Sequence, residues 1–300
     1  MNIVVAGGTG FIGSSVVRLL SLQGHDVVVL TRNPEKDTLT PDVQLVRWDG
    51  ATQGDWVAQV RGADAVINLS GESIGAGRWT SSRKDRLLGS RVNSARALLE
   101  ALRTGQKRPS VFINSSAVGY YGPVEEGEVT EDHAGGEGFL ADLCLRWEQE
   151  AMAVGELGIR VVILRTGVVI GEGGGALDRM LLPFRLFAGG PIGTGKQWFP
   201  WVHRDDVAGV IVFALENPAV SGAVNVVAPG IVDMKRFCAA LGAALSRPSW
   251  LPVPPLALRA LLGEMSGMIL TGQRAVPSKL LGLGYTFRYP ELAPALASVV

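Results

Sequence analysis

Residues 4–13 read VVAGGTGFIG, and the two halves of that stretch decide the fold. The apolar run from Asn2 to Gly7 suits a short buried strand. FIGSSVVRLLSLQGH then repeats its apolar residues at helical spacing until Gly24 stops it. Between strand and helix stand Gly7, Gly10 and Gly13, at the spacing that folds a chain around a pyrophosphate. Gly7 allows the tight turn, Gly10 lets backbone approach phosphate, and Gly13 lets the helix pack on the strand, while the helix N-terminus attracts the negative charge. Thr9, Phe11 and Ile12 complete this loop as candidate cofactor contacts.

Outward from this loop, apolar runs alternate with helical patterns. DVVVLTR (26–32), VQLVRWD (43–49), ADAVINLSG (63–71), SVFINSSA (110–117) and RVVILRTG (160–167) read as strands. RLLGSRVNSARALLEALRTG (86–105) and FLADLCLRWEQEAMAVGELG (139–158) read as helices. Val- and Ile-rich strands alternating with amphipathic helices give a doubly wound α/β domain: a parallel sheet with helices on both faces. Beyond about residue 170 the pattern changes to Gly- and Pro-rich loops, then returns to a helix over 203–217 and a strand over 222–229. The last 70 or so residues read as helices separated by prolines. The expected organisation is a dinucleotide-binding domain over 1–170 with 203–228 returning to its sheet, and a smaller, mainly helical lobe from 171–202 and 229–300.

With 28 Lys and Arg against 28 Asp and Glu, and no basic run, composition argues against a nucleic-acid partner. Two cysteines, Cys144 and Cys238, and three scattered histidines form no metal-ligand pattern and suit a reducing compartment. An apolar strand opens the chain in place of a leader, and no apolar run is long enough to span a bilayer. These features lead to the expectation of a cytoplasmic protein without a membrane partner.

Arg32 ends the second strand, where an acidic residue would bond ribose hydroxyls. An arginine there, beside Thr31, can instead pair with a 2′-phosphate in a bidentate fork, which points to NADP(H) rather than NAD(H). A solvated loop arginine would look the same. Asp49, after the third strand, could accept a hydrogen bond from the adenine amino group or simply close a surface turn.

Together with the glycine loop, INLSGE (67–72), INSSAVGYYG (113–122) and FPWVHRDDVAG (199–209) make the chain resemble the extended short-chain dehydrogenase/reductase superfamily. More narrowly, it resembles the atypical "epimerase family protein" subgroup with its own C-terminal domain, and does so essentially end to end. The resemblance implies a Rossmann-type sheet with Leu69, Ser70 and Gly71 lining the cofactor site and Val169 beside the nicotinamide. It also places Arg91 where the superfamily usually has Asn, implies that Ser116 (or, second, Ser115) orients a substrate oxygen, and makes a homodimer plausible.

Catalysis in the superfamily also needs a Tyr four residues before a Lys. Alignment on Trp147-Glu148-Gln149 puts Leu140 and Cys144 at those positions. The four tyrosines, Tyr120, Tyr121, Tyr285 and Tyr289, are followed four residues on by Val124, Glu125, Tyr289 and Ala293, so the chain has no Tyr-x-x-x-Lys. Losing a positioned proton donor costs about 10²- to 10⁴-fold in rate. Tyr121, Tyr120 and Cys144 are the candidate replacements, each with a plain packing role as its alternative. Trp198, Phe199, Trp201 and His203 in the loop 189–203 either close over a substrate or pack the lobe on the sheet. Two readings follow: an NADP(H)-dependent oxidoreductase or epimerase on a small carbonyl or sugar-like substrate, or a non-catalytic NADP(H)-binding sensor or scaffold.

Overall fold

Each strand of the central sheet is an apolar run short enough to be covered on both faces. The computed structural model describes residues 1–35 and 42–300 and has seven such strands. They are β1 (Asn2–Ala6), β2 (Asp26–Thr31), β3 (Gln44–Arg47), β4 (Ala65–Asn68), β5 (Val111–Ala117), β6 (Arg160–Thr166) and β7 (Gly222–Val226). All pair in parallel, side by side as β7-β6-β5-β4-β1-β2-β3. The chain winds outward from β1 to β3, then crosses back to β4 and winds the other way. The loops leaving β1 and β4 therefore diverge, and such a reversal opens a crevice at the carboxyl ends of the strands.

The connecting helices are α1 (Phe11–Leu22), α2 (Trp56–Gly62), α3 (Ser81–Arg103), α4 (Phe139–Met152), α5 (Leu177–Arg185) and α6 (Arg204–Glu216), with α7 (Met234–Ala244) in the lobe. Successive strand residues point to opposite faces. Ile3 and Val5 of β1 thus meet Val16, Val17 and Leu20 of α1 and Val210 and Ile211 of α6. Val4 and Ala6 meet Val57 and Val60 of α2 and Leu98 and Leu102 of α3. Each fully buried Val, Leu or Ile stabilises the fold by about 1.5–3 kcal/mol, so this two-faced burial is what holds the sheet between its helices.

A third core belongs to the lobe, where Phe199, Trp201, Phe237, Leu241, Leu292 and Leu296 pack together. The loop 189–203 is held into it. Trp198–Phe199 pairs antiparallel with Val232–Asp233, and Trp201–His203 runs parallel to Val168–Ile170. The Phe199 and Phe237 rings lie 4.1 Å apart, and the Trp201 indole donates to the Gly230 carbonyl. These aromatics therefore pack the lobe onto the sheet.

Three segments differ from the sequence expectation. Residues 56–62 form α2, a seven-residue helix whose three buried residues, Trp56, Val57 and Val60, make too short a pattern to be seen. Residues 177–185, inside the glycine-rich stretch, form α5 despite Pro183. The helix that begins at Phe139 ends at Met152 and passes into a tight 3-10 turn, Ala153–Leu157, closed by Gly158. Among the described residues no helix is long and apolar enough to cross a membrane.

Candidate functional site

At the carboxyl end of β1 the glycine loop is shaped by close backbone contact. Gly7 has φ +80°, and a side chain there would lie 2.9 Å from the Leu69 carbonyl. At Gly13 a Cβ would sit 2.2 Å from the Gly7 carbonyl oxygen. Gly10 caps α1 without a side-chain hydrogen bond, and the first turn carries no acidic residue. The helix N-terminus is thus left with N–H groups open to an anion. Thr9 is exposed on this rim. Ile12 packs toward the core, and the Phe11 ring lies beneath the Arg204 guanidinium, 5.1 Å away.

At the end of β2, Arg32 is exposed and forms no ion pair among the described residues. Buried Thr31 accepts a hydrogen bond from the Asn33 amide at 3.4 Å. Asp49 closes its own turn: it accepts the Ala51 and Thr52 amides at 2.8 Å and the Thr52 hydroxyl at 2.5 Å. The hydroxyl and amide bonds hold its carboxyl below the usual value.

Past β4, the Ser70 amide donates to the Asn68 side chain, which in turn donates to Asn114 of β5 at 2.7 Å. Gly71 follows, and the Arg91 guanidinium of α3 lies flat against it: a Cβ on Gly71 would be 3.0 Å from Arg91 Cζ. Val169, beyond β6, is half-buried in the short strand that pairs with Trp201–His203.

Deeper, at the carboxyl ends of β5 and β6, lies a chain of polar groups. The Ser116 hydroxyl donates to Glu148 Oε1 at 2.6 Å, while Ser115, its neighbour on β5, points to the other face of the sheet. Glu148 of α4 is gripped by Arg165 of β6, Nε to Oε1 at 3.1 Å and Nη2 to Oε2 at 2.9 Å. Arg165 also donates to the Tyr121 hydroxyl at 3.0 Å, and that hydroxyl donates to Asn225 of β7 at 2.7 Å. The Tyr120 ring lies 3.5 Å from the guanidinium. Ser116, Glu148, Arg165 and Tyr121 are 5, 7, 6 and 2% exposed, so the ion pair sits within the protein rather than on it. Burial opposes the Arg165 charge, but the fork with Glu148 outweighs it and holds the guanidinium ionised. Burial also pushes the Tyr121 hydroxyl up to about 12, and pushes the thiol of Cys144 up to about 11, with Glu148 adding to it.

The structure thus brings Ser116, Tyr121 and Cys144 into one neighbourhood, joined by two residues that the sequence reading did not single out. Glu148 and Arg165 carried a visible signal: one stands a helical turn beyond Cys144, the other ends the apolar run VVIL. A charge in such a place is buried and must be paired.

Comparison with known proteins places the chain in a family. The family model described as NAD dependent epimerase/dehydratase family matches residues 3–227, and a domain of unknown function, DUF1731, matches 253–299. Epimerase family protein YfhF of Bacillus subtilis (strain 168) is 42% identical over 303 residues, covering 100% of this chain and 98% of its own. Epimerase family protein SDR39U1 of Mus musculus is 41% identical over 304 residues, covering 100% of both. The crystal structure of human epimerase family protein SDR39U1 with NADPH superposes with a TM-score of 0.89 at 37% identity, covering 100% of this chain and 99% of that one. UDP-glucuronic acid 4-epimerase from Bacillus cereus, at 20% identity and a TM-score of 0.81 over 99% of this chain and 97% of its own, shares the fold. The chain belongs to the NAD-dependent epimerase/dehydratase family.

Proposed function

We propose that this protein is an NADP(H)-dependent oxidoreductase or epimerase acting on a small carbonyl, hydroxyl-bearing or sugar-like substrate. The observation that carries the proposal is the Ser116 hydroxyl at the crevice end of β5, held at 2.6 Å by a Glu148 carboxylate that Arg165 fixes from behind. The glycine cradle, whose close contacts leave no room for side chains at Gly7 and Gly13, suits a dinucleotide. NADPH in the human relative's crystal supports the choice of cofactor. In this assignment Gly7, Gly10 and Gly13 and the α1 N-terminus hold the pyrophosphate, and Arg32 takes the 2′-phosphate. Leu69, Ser70, Gly71, Arg91 and Val169 line the rest.

Bound NADP(H) supplies or accepts hydride at its nicotinamide. Ser116 orients the substrate oxygen. Because its own proton points to Glu148, the serine offers lone pairs, which suits a substrate hydroxyl. Glu148, held through both oxygens by Arg165, keeps the Ser116 proton turned away from the crevice, so that a Ser116 lone pair accepts the substrate hydroxyl and fixes its oxygen. Tyr121 is bonded on both sides, and a thiol raised to about 11 gives up its proton poorly near neutrality. Ser116 is therefore assigned the orienting of the substrate oxygen, with Glu148 and Arg165 fixing the serine, and neither Tyr121 nor Cys144 is assigned the proton transfer.

The test follows NADPH oxidation with a panel of small aldehydes, ketones and nucleotide-sugar ketones. A substrate should emerge, and Ser116→Ala should slow it by about 10²- to 10⁴-fold. The near-complete burial of Ser116 favours a second reading, an NADP(H)-binding sensor or scaffold. Tight NADPH binding with no turnover on any panel member would select it.

A further inference from the structure

The surroundings of Ser116 on the α4 side are apolar. The Cys144 thiol lies within hydrogen-bond reach of the Ser116 hydroxyl. One helical turn before it on α4 stands Leu140, at the position where the superfamily's tyrosine would meet the substrate oxygen. Opposite, in the 3-10 turn Val118–Tyr121 that leaves β5, Gly119 comes so near that a Cβ there would be 3.3 Å from Leu140 Cβ and 4.0 Å from the Cys144 sulfur. Tyr120 follows, and its ring covers the Arg165 guanidinium at 3.5 Å, screening the buried ion pair from that side.

Phe139, beside Leu140, meets Trp79 edge to face with ring centroids 5.0 Å apart. Trp79 lies in the segment between β4 and α3, and its indole donates to the Ile74 carbonyl of the same segment at 3.0 Å. This segment is fastened to the lobe at three places. Arg78 Nε donates to the Leu261 carbonyl at 3.0 Å, at the C-terminal end of α8 (Pro255–Leu262). Arg179 of α5 donates to the Gly75 carbonyl, and Lys84 in the first turn of α3 pairs with Glu264 just past α8. These ties hold Ile74 and Trp79 in place beside Phe139.

Ile74, Trp79, Tyr120 and Phe139 rest on one apolar cluster, that of Leu87, Leu143, Cys144 and Trp147, and all four, like Leu140, are only half-buried. Three separate segments thus present an apolar, largely aromatic face beside Ser116. Covering such a face with an apolar group is favourable, and aromatic rings add edge and stacking contacts. A sugar carries a hydroxyl on each carbon beside the reacting one. Against Leu140 and Phe139 those hydroxyls would lose water and gain no partner.

We infer that the substrate pair is an alcohol and its aldehyde or ketone with an aromatic or branched aliphatic group on the reacting carbon, seated against Trp79, Phe139 and Leu140, and not a nucleotide sugar. The inference rests on the oxidoreductase reading above. In the reductive direction the carbonyl carbon gains hydride from NADPH and its oxygen gains a proton from water, giving the alcohol and NADP⁺. The test compares NADPH-dependent reduction of acetophenone and cyclohexyl methyl ketone with that of hydroxyacetone and a UDP-4-keto sugar. The first two should exceed the others in kcat/KM by about 10- to 100-fold. Phe139→Ala should raise KM for acetophenone about tenfold with a smaller change in kcat, and Phe139→Leu should recover part of that loss. With NADPH bound, 1-phenylethanol cannot react, and calorimetry should show it binding wild type about tenfold more tightly than Phe139→Ala.

Turnover that favours hydroxyacetone or the UDP-4-keto sugar, or an unchanged affinity of folded Phe139→Ala for 1-phenylethanol, overturns the inference while leaving the oxidoreductase reading intact. Tight NADPH binding with no turnover of any panel member overturns both. The comparison of substrates on wild type decides the matter even if a variant does not fold.

Discussion

Single residues decide the most here. At Gly13, where a Cβ would collide with the Gly7 carbonyl, no neighbouring side chain can yield, because the obstacle is backbone. Gly13→Ala should therefore destabilise the protein by several kcal/mol, beyond the ~1 kcal/mol typical of a point change, and abolish NADPH binding; thermal melts with and without NADPH check both effects. Glu148→Ala leaves Arg165 as an unpaired buried cation and should cost about 3–5 kcal/mol in urea unfolding. Glu148→Gln keeps a hydrogen-bond acceptor for Ser116 and should cost less in stability while still suppressing turnover. The glycines were legible in the sequence because their role is set by local geometry. The Ser116–Glu148–Arg165–Tyr121–Asn225 chain was not, because its members are up to 109 residues apart and only the sheet order places them together.

Elements were legible to the degree that their pattern was long. The strands of the sheet are continuous apolar runs because they are buried on both faces, α1 and α4 show clear periodicity, and α6 is apolar nearly all round because it is buried. By contrast, α2 is too short to show one, and α5, though amphipathic, lies in a Gly- and Pro-rich stretch and carries Pro183 inside it. At the start of α6 the cap is itself titratable. The His203 ring accepts the Asp205 amide at 3.1 Å through Nδ1, which requires that nitrogen to be unprotonated. Burial lowers the His203 pKa below the ordinary 6.5, with Asp205 partly opposing it. The unfolded chain then binds the proton more readily than the folded one. Stability from this site is complete above about pH 6.5 and falls as pH drops through that value toward the folded pKa. Unfolding measured between pH 7.5 and 5 should show this loss, and it should be flatter in His203→Asn, which can cap a helix without titrating. An equally steep loss in that variant would place the sensitivity elsewhere. In the same first turn, Asp206 accepts the Arg288 and Tyr289 amides at 2.6 and 3.0 Å and ties the C-terminal segment to the sheet layer.

At the scale of the whole molecule, the reversal of strand order between β1 and β4 collects the glycine loop, Arg91 and Ser116 at the carboxyl ends of the strands, while the lobe is packed beside them through its own aromatic core. The doubly wound sheet was foreseeable because alternating strands and helices permit few other arrangements. How the lobe docks was not, since its contacts are made by irregular segments. Removing residues 253–299 would strip Leu292, Ala295 and Leu296 from that core and release Asp206 from its partners. The truncated chain should melt lower and aggregate, as light scattering during a thermal ramp would show. The central claim, that this fold is set for NADP(H), is tested most directly by titrating wild type and Arg32→Asp with NADPH and NADH, following nicotinamide fluorescence. The account expects NADPH to bind roughly ten- to hundredfold more tightly than NADH in wild type, with that preference lost in the variant. Equal affinity for the two in wild type, or no binding of either, would contradict it.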